Sequence, residues 1–388
     1  MADFFGKWRR VNGTFARSAQ AEAPKKRFLS SDRSLGPIRD LHGKPFDEGT
    51  KTKLVIYRSY VRAWLQVFLH AEAFRGKPLQ FFDFFCGPGE DATGTPGSPL
   101  ILINELLAQR AAIEERSHDI RIFFNDRDEE KIDNLRQLCS EKSLPWRPRF
   151  ETLEFAEAFD KVRTEIGAGP SLVFVDQNGV KHITRSVFDV FTKSNTTDFL
   201  FFTASSYTWR FGELLAPEIE FPEDVSYLEV HRVLADKYRE WAPDNVFIGH
   251  FSIKKRSNIY GLVFGSHHWR GMQKFLEIAW KLDADCGEAD YEMESDTVQG
   301  EMYFDQGRTG FKKRKGELFQ EKLSNLIRSH GIVTDKDVFL HCLTNGFLPR
   351  VARDVYQRLR DDGLLKSARD DFPRYSDAAM KEPRRIKI

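Results

Sequence analysis

Phe81-Phe82-Asp83-Phe84-Phe85-Cys86-Gly87-Pro88-Gly89 runs from an apolar strand into a turn with two glycines, and carries one acid inside the strand. In nucleotide-type α/β folds, glycines at the carboxyl end of the first strand let the backbone come close to a ligand. A full GxGxxG is absent, so a dinucleotide pyrophosphate cradle is not indicated. No GxxxxGK[ST] phosphate loop and no HExxH metal helix occurs elsewhere. A shorter glycine turn suits a cofactor without phosphates, such as S-adenosylmethionine.

Around this stretch the text alternates. Upstream, Leu54, Tyr57, Val61, Trp64, Leu65 and Phe68 recur at spacings of three and four, which predicts a helix from Lys51 to Phe74 that Gly76 and Pro78 stop. Downstream, strands are expected at Leu79–Phe85, Ile120–Phe124, Arg149–Leu153, Leu172–Val175 and Phe199–Thr203. Helices are expected at Pro99–Gln109, with Ser98 as N-cap, and at Glu129–Cys139, Phe155–Ile166 and Val187–Lys193. Strands alternating with helices build a parallel sheet covered on both faces. Val246–Ile253 and Ile259–Phe264, joined by a polar loop, add an antiparallel edge, and His268–Leu282 comes next as an amphipathic helix. The fold class is therefore α/β, a doubly wound, Rossmann-like sheet; the Gly87-Pro88-Gly89 turn, read with the acid that ends the second strand, makes the expectation a class I methyltransferase sheet.

Strand ends nominate the site. Asp83, Gly87 and Gly89 belong to the first turn, with the glycines facing the methionine part of the cofactor and Asp83 ordering the loop. Ile122-Phe123-Phe124-Asn125-Asp126 ends the second strand in an acid that can accept both ribose hydroxyls. Asp128, two residues on, is the alternative, or else caps the helix. Glu154, after the third strand, is placed to approach the adenine. Val173-Phe174-Val175-Asp176-Gln177-Asn178-Gly179 delivers polar groups to the same edge, where Asp176 or Asn178 can orient or deprotonate a methyl acceptor. An Asp/Asn-Pro-Pro-Tyr sequence, the sign of amino-methylation of a base, is missing. Cys86 reads as a small filler under the cofactor rather than a nucleophile. His267-His268 are adjacent and do not make a metal pair, so no metal is expected.

Composition bounds the rest. The chain has 388 residues, 41% hydrophobic and 30% charged, which fits a globular protein. The formal net charge of +1 says nothing about a polyanionic partner, but the distribution is uneven. Residues 286–305 hold seven Asp/Glu and no Lys or Arg, and Lys312-Lys313-Arg314-Lys315 come soon after. Four cysteines without a CxxC pair argue against a disulfide scaffold or zinc site and suit a reducing cytoplasm. Neither an export signal nor a membrane span is expected.

The last seventy or so residues change style. Helices at Leu318–Ser329, Val338–Leu343 (Thr334 and Asp337 as caps) and Pro349–Arg360, then Asp-Gly and Leu364-Leu365, suggest a winged helix-turn-helix. In the third helix Val351, Val355 and Leu359 would face inward, leaving Arg350, Arg353, Gln357 and Arg360 for a nucleic-acid groove, with Lys312 and Lys313 as further phosphate contacts. The expected organisation is an irregular arm over 1–50, a methyltransferase-like domain over 51–285, a charged linker over 286–316 and the winged helix over 317–388.

Gly87-Pro88-Gly89 together with Gly94-Thr95-Pro96-Gly97-Ser98-Pro99-Leu100, Phe174-Val175-Asp176 with Gly179, and Tyr260-Gly261-Leu262-Val263-Phe264 resembles the three-Cys-motif partner family. These are bacterial proteins with a methyltransferase-like domain. The resemblance spans roughly residues 51–285. It implies a methyltransferase fold and a partner that carries the three cysteines, resembling radical-S-adenosylmethionine proteins. Where the family would have Asp-Pro-x-Gly, this chain has Asp176-Gln177-Asn178-Gly179. The function expected is S-adenosylmethionine-dependent methylation of nucleic acid or a modified base, with a non-catalytic recognition subunit as the alternative.

Overall fold

The computed structural model describes residues 44–176, 182–203, 230–255, 258–284, 287–290, 315–329, 331, 334–365 and 377–386, with short strands at 10–11, 14–15, 303–305 and 308–310. Residues 1–41 form one unit and 42–388 another. In the first unit, Arg10–Val11 pairs antiparallel with Thr14–Phe15.

The second unit is built around a sheet of seven strands: β1 (Leu79–Asp83), β2 (Ile120–Asn125), β3 (Arg149–Glu151), β4 (Ser171–Asp176), β5 (Thr197–Thr203), β6 (Phe247–Lys255) and β7 (Asn258–Ser266). The spatial order is β3-β2-β1-β4-β5-β7-β6. β1 to β5 run parallel, and β7 runs antiparallel to both β5 and β6. This is the class I methyltransferase arrangement, with the antiparallel hairpin closing one edge. The chain leaves β1 to one side for β2 and β3, then to the other for β4 and β5. The switch point therefore lies at β1 and β4, where open α/β sheets place ligands.

The apolar strands bury both faces, and their alternation sorts side chains between two cores. Phe81, Leu172, Phe174, Leu200 and Phe202 join one cluster, while Phe82, Val173, Val175, Phe199 and Phe201 join the other. The first face is covered by α1 (Glu48–His70), α2 (Ser98–Ala108), the short α3 (Arg110–Glu115), α4 (Glu129–Ser140) and α8 (Trp269–Leu282). The second is covered by α5 (Phe155–Val162), α6 (Arg185–Phe191) and α7 (Val230–Trp241). Helix α7 was not anticipated: its inner stripe of His231, Leu234, Ala235 and Tyr238 has helical spacing, but the outer residues are mostly charged.

Ser98 departs from its expected role. Gly97 takes the N-cap position of α2, and Ser98 opens the helix with its hydroxyl turned to Asp83. The buried Asp83 oxygen needs a donor where no water reaches it, so the hydroxyl serves the strand rather than the helix.

Toward the C-terminus, α9 (Lys315–Arg328), α10 (Asp335–Thr344) and α11 (Ala352–Asp361) pack together and onto α8, and their apolar residues belong to the first core. Thr334 and Asp337 form a capping box on α10, as their spacing suggested. The expected helix Pro349–Arg360 is split into a 3-10 turn, Pro349–Val351, and α11. Residues 366–376, where a wing was expected, lie outside the described residues. Among the described residues no helix is long and apolar enough to cross a membrane.

Candidate cofactor crevice

The loop after β1 folds back on itself above the switch point. Gly87 and Gly89 have φ of +65° and +102°, a region that residues with a Cβ rarely occupy. A Cβ on Gly89 would also meet the Leu138 and Leu135 methyls of α4 at 3.0 and 3.1 Å. Gly97 N–H donates to Gly89 O at 2.6 Å, and a Cβ at Gly97 would press on that same oxygen at 3.0 Å. The backbone pair closes the loop without side chains.

Two acids hold the loop. Asp126 accepts the Gly87 N–H at 3.1 Å through Oδ2 and the Asp128 N–H at 3.1 Å through Oδ1. Each oxygen keeps a lone pair for another donor, as a ribose diol would require. Asp128 stands at the N-cap of α4 without a capping bond from its side chain. Asp83 is buried and accepts the Ser98 hydroxyl at 2.7 Å and the Phe85 N–H at 3.4 Å. Burial, aided by the charge of Asp176, lifts its carboxyl to about 7 against those bonds. Cys86 is buried beneath the loop, and burial followed by the Asp83 and Asp126 charges pushes its thiol well up, which disfavours a nucleophile.

Asn125 carries a structural task not read from the sequence. Its buried amide donates to Phe84 O at 3.3 Å and Leu153 O at 3.0 Å, and accepts from Leu153 N–H at 3.2 Å. The first loop is thereby tied to the end of β3, where Glu154 stands exposed at the N-cap of α5, 3.8 Å from Arg127. Asp91 anchors the same loop from the other side. Burial opposes its ionisation, but N–H bonds from Phe46, Thr93 and Thr95 and the Thr93 hydroxyl hold it well below the usual carboxylate range.

Across the switch point, Asp176 ends β4 beside Phe202 of β5 and forms an ion pair with Lys53 of α1. The Lys53 ammonium lies 5.0 Å over the Phe202 ring, which stacks on Tyr260 at 5.5 Å and 12°. Tyr57, one turn beyond Lys53, packs on Phe174 at 4.4 Å. Lys53 was missed because, among the polar positions of α1, nothing local marks it; its partner lies 123 residues away. Gln177, Asn178 and Gly179 lie outside the described residues.

Of the four expected groove-facing side chains on the third C-terminal helix, three are exposed. Arg353 and Gln357 are exposed, with Gln357 donating to Asp361 at 2.8 Å. Arg350 is exposed as well, with its guanidinium 5.3 Å over the Trp280 ring, and Arg360 is half-buried. Val351 is only partly buried, and Ala352, Val355, Tyr356 and Leu359 form the inner stripe. Lys312 and Lys313 lie outside the described residues.

One group among the described residues has metal-ligand character: His231, His250 and Glu288, with ligand atoms within 4.8 Å of one another. Arg232 donates to Glu288 Oε1 at 2.5 Å and Lys315 pairs with Oε2 at 2.7 Å. Two cations already satisfy the carboxylate, so a divalent ion would enter an environment of its own sign. The cluster reads as an ion-pair hub.

No protein-family model matches the sequence, and no curated protein matches it. Among solved structures, similar ones include a putative caffeoyl-CoA O-methyltransferase from Staphylococcus aureus (13% identity, 57% of this chain and 85% of that one, TM-score 0.30). A putative O-methyltransferase from Klebsiella pneumoniae matches at 13% identity over 57% of this chain and 90% of that one, TM-score 0.31. A SAM-dependent methyltransferase from Aquifex aeolicus matches at 11% identity over 57% and 98%, TM-score 0.23. The fold assignment stands on strand order and direction, not on these likenesses.

Proposed function

We propose that the crevice at the carboxyl ends of β1, β2 and β4 binds S-adenosylmethionine, and that the chain transfers its methyl group to nucleic acid or a modified base. The observation that carries this reading is the glycine loop at the switch point, with Gly87 N–H bonded to the acid that ends β2. Asp126 is read as the ribose acceptor and Glu154 as an adenine neighbour. Asp176 or Asn178 is read as the group that orients or deprotonates the acceptor. Transfer from a sulfonium then depends mainly on positioning.

The acceptor class rests on the C-terminal helices, read as a winged helix. The capping box of α10, the antiparallel bridge between Thr334 and Arg385 and the left-handed Gly363, with φ of +70°, support that reading. The three-Cys-motif partner rests on the motif resemblance alone.

Calorimetry with S-adenosylmethionine tests the cofactor. Binding should be lost or weakened at least about tenfold in Asp126→Ala, the loss of one charged hydrogen-bond acceptor. No binding by the wild type would end the proposal. Tritiated methyl supplied with DNA, RNA and protein separates the acceptors. Binding without transfer to any of them would leave the chain as a recognition subunit.

A further inference from the structure

Lys53 is the one buried lysine of the described core, and it crosses from α1 to the acid that ends β4. Its side chain is 10% exposed, whereas that of Asp176 is 26% exposed, so the pair opens to solvent on the carboxylate side. The surroundings are aromatic: Phe202 beneath the ammonium, Tyr260 stacked on Phe202, and buried Tyr57 on the same helix. Asp83 and Asp176 end adjacent parallel strands, with Asp83 in register with Phe174. Both Asp176 and Lys53 act electrostatically on the Asp83 carboxyl.

We propose that the Lys53–Asp176 pair lines the acceptor subsite, Asp176 on its open side and the Lys53 ammonium directly behind it, and that the site takes an acceptor that reacts as an oxyanion, a hydroxyl held on an aromatic wall. This rests on the proposed cofactor crevice. An amine acceptor gains positive charge as it takes the methyl, and an ammonium beside it opposes that change. A hydroxyl must lose a proton, and the same ammonium stabilises the oxygen that results. In the step, the acceptor hydroxyl gives its proton to the Asp176 carboxylate, and an oxygen lone pair forms the new O–C bond. The C–S bond breaks with its electron pair going to sulfur, leaving a neutral thioether. Asp176 then releases the proton to water, and Lys53 remains an ammonium throughout. The absence of Asp/Asn-Pro-Pro-Tyr, the amino-methylation sequence, agrees with an oxygen acceptor.

The test needs no acceptor. S-adenosylmethionine carries a cationic sulfur and S-adenosylhomocysteine a neutral one, so their affinity ratio reports the charge facing the methyl. Calorimetry should find the neutral ligand favoured in the wild type and in Lys53→Arg. In Lys53→Met, which keeps the apolar stem but frees Asp176, the ratio should shift toward the cation by about tenfold or more. If Lys53→Met fails to fold, Asp176→Asn should move the ratio the opposite way, toward the neutral ligand. Ratios unchanged by these substitutions, with both ligands still bound, would overturn the proposal and leave Lys53 a tether between α1 and the sheet. If neither ligand binds the wild type, the cofactor reading itself fails.

Discussion

Asp83 sits at the end of β1 with almost no exposure, and its folded carboxyl titrates at about 7, raised first by burial. An unfolded Asp titrates near ~4. The folded chain thus holds this proton more tightly, so the contribution to stability is full in acid and is lost as pH rises through about 7. Asp83→Asn keeps the shape without the charge. Thermal melts should show its stability relative to wild type rising from about pH 4 to about pH 7 and levelling above that, because the unfolded wild-type chain gives up a proton that the buried acid keeps. A constant difference over that range would mean that Asp83 is already ionised. The acid itself was legible in the sequence, since it breaks the apolar run Phe81–Phe85. Its proton was not: that depends on Ser98 and Asp176, which neighbour it only in the fold.

At the scale of elements, the segment 287–290 works as a clasp. Ser252 of β6 bridges to Ala289, Ser252 N–H donates to Glu288 O at 2.6 Å, and Lys254 N–H donates to Asp290 at 2.7 Å. The Glu288 carboxylate meanwhile gathers Arg232 of α7, His250 of β6 and Lys315 at the start of α9. Glu288→Gln would leave two partly solvated cations, Arg232 at 35% and Lys315 at 25% exposure, facing a neutral amide and should cost about 2–3 kcal/mol, less than a fully buried pair broken on one side. Denaturant unfolding measures this, and a loss below about 1 kcal/mol would place the hub with ordinary surface pairs. Burial lowers the His250 ring to about 3, against the pull of Glu288. Arg239 donates to its Nδ1 at 3.2 Å, which leaves Nε2 to donate to Glu288. A depressed histidine contributes stability above its unfolded pKa, and that contribution is lost as pH falls from about 6.5 toward 3. The hub and Asp83 therefore act in opposite directions with pH.

For the whole molecule, the question is what the C-terminal helices face. They share the core of the sheet's first face, and Trp280 binds them there through its N–H to Gly346 O at 3.2 Å, its contact with Phe347 at 5.9 Å and the Arg350 guanidinium. Exposed on α11 are Arg353, Gln357 and Arg358 together with the acids Asp354 and Asp361. If this face meets duplex DNA, log affinity should fall against log salt by roughly 0.9 per neutralised phosphate, and Arg353→Ala with Arg358→Ala should flatten that slope by up to about two contacts. An unchanged slope would assign the face to docking. By itself, the sequence determined the alternation of strands and helices through the sheet, because apolar runs such as Leu172–Val175, too short for a helix, and stripes such as Leu54–Phe68 have different periods; it did not mark α7. It also determined the two-glycine turn, whose φ values depend on residues adjacent in the chain. Tertiary structure alone decided the pairing of Lys53 with Asp176, the diversion of Ser98 to Asp83, the Glu288 hub and the contact of Arg350 with Trp280. Each joins residues distant in the chain through a buried charge or an aromatic face, and their mutual preference acts only after packing has excluded water and brought them into reach.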